Sequence, residues 1–223
     1  MTYEIELKSL LGGRDAADAL RAKLLERQAQ LVEQSKQLNH YFMGSALPSL
    51  ATRMTSHLSP RDAALLDSIT VAARSASVRT RLLNDAVLLI VKAAVDDTTS
   101  ENGIQRREFE ALVTTLDLNA LDNEVVAAGY QVQARWSRER DAYQLADGTV
   151  VCIDRNAGYG YLAEFERVVD DADRAAEVEA ELRRLMAELD CEELAQDRLE
   201  RMFAHYNANW PDYYGTDRTF VIE

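Results

Sequence analysis

Tyr3-Glu4-Ile5-Glu6-Leu7-Lys8 alternates ionisable and apolar side chains with a period of two. In an extended strand alternate residues point to the same face, so Glu4, Glu6 and Lys8 form one row and Ile5 and Leu7 the other. Similar rows return downstream: Arg79 and Arg81, then Arg106, Glu108 and Glu110, then Arg138 and Arg140, then Glu164 and Glu166. A single row describes any strand with one wet face. Repeated rows of both signs point to a charged interior that binds a metal and a polyanion together.

Composition narrows the partners. The chain has 223 residues, 47% of them hydrophobic, which supports one good-sized domain with a real core. Its 25 basic residues face 38 acidic ones, for a net charge of −13. Such a surface repels nucleic acid and anionic membranes, so basic residues that bind an anion must be gathered locally. Cys152 and Cys191 show no metal-site spacing and read as buried thiols of a reducing compartment. The N-terminus lacks a basic-then-apolar leader pattern. The apolar run Ala86 to Val95, broken by Lys92, is too short to span a bilayer. A soluble cytoplasmic protein is expected.

The same reading gives an order of elements. Gly12-Gly13 breaks the first strand, and Asp15 can cap a helix running to Gln37. A short strand is expected at Leu38 to Met43, then a loop from Gly44 to Ser59. Ser59-Pro60 starts a helix to Arg74 with Leu65, Leu66 and Ile69 buried. Strands follow at Val78–Leu83, Val87–Val95 and Arg106–Val113, with hairpin-like connections at Asn84-Asp85 and Asp96–Gly103. A helix from Asn119 ends at Gly129. Strands near Gln133–Ala146 and Val150–Asp154 flank Asp147-Gly148, a strong hairpin signal, and Tyr161–Val169 closes the series. Beyond Asp171 the spacing is helical, with Asp190 and Glu193 resembling a capping box for a last helix at Cys191–Tyr206. The expected fold is α+β, an antiparallel sheet curled or closed over residues 1–170 with a helical extension over 171–223. Closure would turn the charged strand face into the lining of a hydrated lumen.

Paired arginines grip phosphate oxygens well because the guanidinium is a planar fork, so Arg79, Arg81, Arg106, Arg138 and Arg140 are candidate phosphate ligands. The alternative is a solvated strand edge. Arg135 is out of phase with Arg138 and Arg140 and reads as exterior. Lys92, alone in an apolar strand, either snorkels outward or supplies a point charge to a phosphate. Carboxylates gathered in one cavity repel unless cations compensate. Glu4, Glu6, Glu108, Glu110, Asp154, Glu164 and Glu166 are therefore candidate ligands of Mg2+ or Mn2+, hard ions that prefer oxygen. Salt bridges to neighbouring Arg and Lys are the structural alternative. His40, His57 and His205 show no partner and read as surface or loop residues. Tyr143 is out of parity with the charged row, and the tail aromatics read as a packed cap.

Taken in order, Glu4-Ile5-Glu6-Leu7-Lys8, Arg79 and Arg81, Lys92, Glu108 and Glu110, Arg138 and Arg140, Asp154, and Glu164 and Glu166 resemble the CYTH superfamily of triphosphate tunnel metalloenzymes. Asn39 departs from it, standing where an aspartate is common. The resemblance implies an eight-stranded antiparallel tunnel that binds triphosphates with divalent metal. It implies that arginines and lysines, Lys8 included, hold the phosphates and glutamates hold the metal. Glu4, Glu6, Lys8 and Lys92 are then expected to carry catalysis. The expected reaction is hydrolysis of tripolyphosphate or a small organic triphosphate. A class IV adenylyl cyclase making cyclic AMP and a non-catalytic polyphosphate-binding module are the alternatives. The sequence leaves substrate choice and oligomeric state open, a homodimer included.

Lys92 separates the two orientations of its strand. An inward lysine makes Lys92→Met a folded protein crippled in substrate use. An outward one makes the variant neutral and fully active. Melting temperature and turnover measured together decide, and full activity would mean that the faces are reversed.

Overall fold

The period-two patterns form strands and the longer-period patterns form helices in a computed structural model, which describes residues 3–94 and 106–223. The side chains of Glu4, Arg106 and Glu108, and the Asp96–Gly103 connection, lie outside the described residues. The order is β1 (Tyr3–Gly12), α1 (Arg14–Glu26), β2 (Gln30–Met43), α2 (Leu47–Met54), α3 (Pro60–Ala72), β3 (Ser75–Leu83), β4 (Ala86–Ala94) and β5 (Arg106–Leu112). It continues with α4 (Leu118–Ala127), β6 (Gln131–Gln144), β7 (Val150–Asn156), β8 (Gly160–Val169), α5 (Ala175–Glu188) and α6 (Gln196–Asn209). The eight strands run β1-β8-β7-β6-β2-β3-β4-β5 in the sheet. β1 and β5 end that order, so no hydrogen-bonded ladder between them closes the sheet among the described residues. No helix among those residues is long and apolar enough to cross a membrane.

Two compact units divide the chain, Met1–Lys36 with Ser137–Glu223, and Gln37–Trp136. In the first, Leu7, Val151, Ile153, Ala163 and Phe165 cluster with Leu20 and Leu24 of α1 and Val178, Leu182 and Met186 of α5. Tyr143 joins this apolar cluster, as its parity required. In the second, Val78, Leu89, Val91 and Phe109 cluster with Leu50 and Met54 of α2, Leu66 and Ile69 of α3 and Leu121 of α4. Fully burying a side chain such as Phe109 or Phe165 stabilises the fold by roughly 1.5–3 kcal/mol.

Several boundaries differ from the sequence reading. The first helix ends at Glu26, not Gln37, because Gln28 turns left-handed with φ of 60°. From Gln30 the chain joins the sheet beside β6, where Gln34 Nε2 donates to Asp141 Oδ1 at 2.9 Å. Pairing thus overrides the helix preference of a Gln- and Glu-rich stretch. The N-cap of α1 is Gly13, with Asp15 in the first turn. The expected loop contains α2, whose Leu47, Leu50, Ala51 and Met54 are buried at helical spacing. Leu65 is 46% exposed rather than core. Asp190 pairs with Lys23 and Glu193 with Arg183, so neither caps α6, which starts from Ala195. Ser59, by contrast, caps α3 by accepting from Asp62 N at 3.1 Å.

The aromatic tail packs within the first unit. Gly158 N donates to Arg218 O at 3.0 Å, and Phe220 N donates to Gly158 O at 2.8 Å. Tyr159 makes edge contacts with Phe203, Tyr206 and Phe220. Gly158 has φ of +83°, and a Cβ there would lie 2.7 Å from Tyr206 Cδ2. Gly158→Ala should therefore destabilise the protein by about 1–3 kcal/mol. Urea denaturation checks this, with Gly13→Ser, which meets no atom within 4 Å, as the neutral control.

Candidate active site

In the first unit, registers on β1, β6, β7 and β8 place charged residues side by side. Lys8 lies opposite Glu164, Glu6 opposite Glu166, and Arg140 opposite Asp154. The odd-numbered Leu7, Tyr143, Val151, Ile153, Ala163 and Phe165 of these strands lie in the apolar cluster, so Glu6, Lys8, Arg138, Arg140, Asp154, Glu164 and Glu166 share the face turned away from it. The row is an alternating chain of charge. Glu6 pairs with Lys8, whose Nζ is 3.2 Å from Glu164 Oε1. Glu164 also meets Arg140. Asp154, with its side chain 1% exposed, accepts from Arg140 Nε and Nη2 at 2.7 Å each and from Arg138 Nη1 at 3.0 Å.

These pairings set the protonation states. Burial by itself would raise the pKa of Glu164, but Lys8, Arg140 and Arg138 outweigh it and hold the carboxyl below its usual range. Burial works against the charge of Arg140, yet Asp154 and Glu164 reverse the balance and raise its pKa. Cys152, cross-strand from Glu164, is pushed up to about 12, chiefly by burial and despite Arg140, and so stays a thiol.

The second unit carries its own charged face. Arg79 and Arg81 of β3 alternate with Val78 and Thr80, and the ladder sets Arg79 opposite Ile90 and Ser77 opposite Lys92. Val78, Leu89, Val91, Phe109 and Ala111 lie in the apolar cluster, so Arg79, Arg81, Lys92 and Glu110 occupy the other face. Glu108 stands opposite Lys92 in register, and Arg106 opposite Ala94. Arg81 Nε donates to Asn39 Oδ1 at 2.6 Å, and its Nη1 is 3.7 Å from Glu110 Oε2. Asn39 thus orients the guanidinium without neutralising it, as an aspartate would. The Arg79 guanidinium lies 4.5 Å from the centre of the Tyr41 ring. Its Nε is buried with no hydrogen-bond partner among the described residues.

His40 is not a surface residue. It is 1% exposed, and its Nδ1 lies 2.7 Å from Asp122 Oδ2. Thr80 Oγ1 donates to Asp122 Oδ1 at 2.6 Å, and Arg135 Nη2 to Oδ2 at 3.2 Å. The available signal was polar residues, His40 and Thr80, at positions whose parity matches the apolar Phe42 and Val78. Arg135 is out of phase with the charged row, as expected. His57 meets Thr115, and His205 packs against Phe220.

The donor chemistry of Glu6, Glu164 and Glu166, carboxylates on adjoining strands, suits a hard divalent ion. Among the described residues, no group of three or more His, Cys, Asp or Glu side chains is placed to hold one. Both Asp154 oxygens are held by arginines, so Asp154 orients Arg138 and Arg140 in this arrangement.

The CYTH domain model matches residues 2–198. The chain belongs to the CYTH family. Three solved structures of the same fold are informative as neighbours. The PH1819 protein of Pyrococcus horikoshii is 18% identical, with a TM-score of 0.58 over 91% of this chain and 99% of that one. A Vibrio parahaemolyticus protein proposed as an adenylate cyclase is 16% identical, with a TM-score of 0.57 over 91% and 98%. HpAC1 from Hippeastrum, likewise proposed as an adenylyl cyclase and described as having a dominant triphosphatase activity, is 16% identical, with a TM-score of 0.51 over 91% and 96%. No curated protein matches the chain.

The lowered pKa of Glu164 fixes a pH dependence for this CYTH protein. Its ion pairs add stability above the unfolded carboxylate value of about 4.3 and lose it as pH falls through the lower folded value. The thermal stability of the wild type should therefore fall below about pH 4, and Glu164→Gln should flatten that dependence. Parallel pH curves for the two proteins would show that Glu164 is not held in its charged form.

Proposed function

We propose that the chain is a metal-dependent triphosphatase acting on inorganic tripolyphosphate or a small organic triphosphate. The observation that carries this reading is the ion-paired row Glu6–Lys8–Glu164–Arg140–Asp154–Arg138, because its cations suit phosphate oxygens and its carboxylates suit a hard divalent ion. The dominant triphosphatase activity described for HpAC1 supports it.

In this reading Arg138 and Arg140, with Arg79, Arg81, Lys92 and Arg106, bind non-bridging oxygens, and Lys8 neutralises charge near the transferred group. Glu4, Glu6, Glu108, Glu110, Glu164 and Glu166 are the proposed Mg2+ or Mn2+ ligands. A bound divalent ion supplies neutralisation of the triphosphate and polarisation of its phosphorus–oxygen bonds. Phosphoryl transfer requires positioning and charge stabilisation more than covalent help. Asp154 contributes by fixing both its arginines in place. Asn39, a neutral amide, orients Arg81 without adding a second carboxylate beside Glu110. The chemistry is assigned to residues 1–170, and 171–223 serves as a helical extension.

Incubation with tripolyphosphate, ATP and thiamine triphosphate under Mg2+ or Mn2+, with phosphate and cyclic AMP both measured, tests the proposal. Phosphate release supports it. Cyclic AMP from ATP would make the chain a cyclase, and binding without turnover would make it a sensor. Glu6→Gln should lower metal-dependent turnover by about 100-fold or more with an unchanged circular dichroism spectrum. Arg81→Ala should cost about 1.5–3 kcal/mol in calorimetric affinity for tripolyphosphate.

A further inference from the structure

Asp122 lies on α4, on the apolar side of the second unit, and its side chain is 6% exposed. Both of its oxygens are committed, Oδ1 to Thr80 and Oδ2 to His40 and Arg135. His40 and Thr80 are themselves cross-strand partners in the β2–β3 ladder. One carboxylate on a helix therefore reaches both members of a strand pair. The residues flanking that pair are Asn39, Tyr41, Arg79 and Arg81, and period two turns all four to the opposite face. There Asn39 orients Arg81, and Tyr41 underlies Arg79.

The chemistry of the contact is directional. Thr80 donates its hydroxyl proton to Asp122 Oδ1, and His40 Nδ1 lies within hydrogen-bonding distance of Oδ2. Arg135 provides the charge that offsets the cost of burying Asp122. Apolar residues, Phe42 and Val78, fill the adjoining positions on the same side. A partnered polar network among apolar residues rigidifies a core and specifies one arrangement of it.

We infer that Asp122 is a positioning residue. Acting through Thr80 and His40, it sets the aim of Arg79 and Arg81 from behind the sheet. The inference rests on the triphosphate reading for the ligand those arginines meet. The competing account is a core network that stabilises the second unit and leaves the arginines unaffected.

The test uses the full chain with Asp122→Asn, Thr80→Val and Thr80→Ser. Tripolyphosphate affinity is read by calorimetry and the Arg81 Nε–H resonance by NMR, with melting temperature recorded for each protein. Thr80→Ser keeps the hydroxyl and should match the wild type in affinity and resonance. Thr80→Val and Asp122→Asn should bind about five-fold more weakly or worse, with the Arg81 Nε–H signal displaced. A folded Thr80→Val protein with wild-type affinity and an unmoved Arg81 signal overturns the inference, whatever its loss in melting temperature. Should Asp122→Asn fail to fold, the two Thr80 variants decide alone. Failure of the wild type to bind tripolyphosphate would overturn the triphosphate reading instead. The Arg81 resonance would still show whether the Asp122 contacts position that arginine.

Discussion

A charge held away from bulk water must be met by another charge or by hydrogen bonds, and the Arg140–Asp154 fork is where that requirement is tightest. Asp154 is fully buried and uses both oxygens on guanidiniums. Arg140 spends its remaining reach on Glu164, Glu164 meets Lys8, and Lys8 meets Glu6. Each ion in the row answers the one before it, which is why so many charges can occupy one sheet face. Burial, helped by the neighbouring carboxylates and opposed by Arg140, keeps Cys152 a thiol.

The row also explains how a strongly charged face can be stable. Its cations and carboxylates satisfy one another, so each charge in the row is offset by a neighbour. In the second unit the partners differ: Arg81 is held by the Asn39 amide and lies 3.7 Å from Glu110, and Arg79 lies against an aromatic face.

Helices do for the opposite face what ion pairs do for this one. Leu20, Leu24, Val178 and Leu182 cover the strands of the first unit, and Leu50, Met54, Leu66, Ile69 and Leu121 those of the second. Asp122 breaks this apolar covering, and it does so directly behind the pair of residues that separates Arg79 from Arg81 and Asn39 from Tyr41.

The sequence by itself determined the strand faces. Period two is a local property of an extended chain, so Glu6 with Lys8, Arg138 with Arg140 and Glu164 with Glu166 could be placed together, and Tyr143 and Arg135 apart from them, before any contact was known. Local rules also found Ser59 as a cap and Asp147-Gly148 as a turn. They failed where distant pairing outweighs local preference. Gln30–Lys36 reads as helix and becomes strand because β6 lies beside it. Asp190 reads as a cap and is taken by Lys23, 167 residues away in sequence. His40 found its partner in Asp122, 82 residues on, and Asp154 was revealed as the carboxylate that orders two arginines. A side chain's direction follows from its own backbone, but its partner is chosen by packing, and packing exists only once the whole sheet has formed.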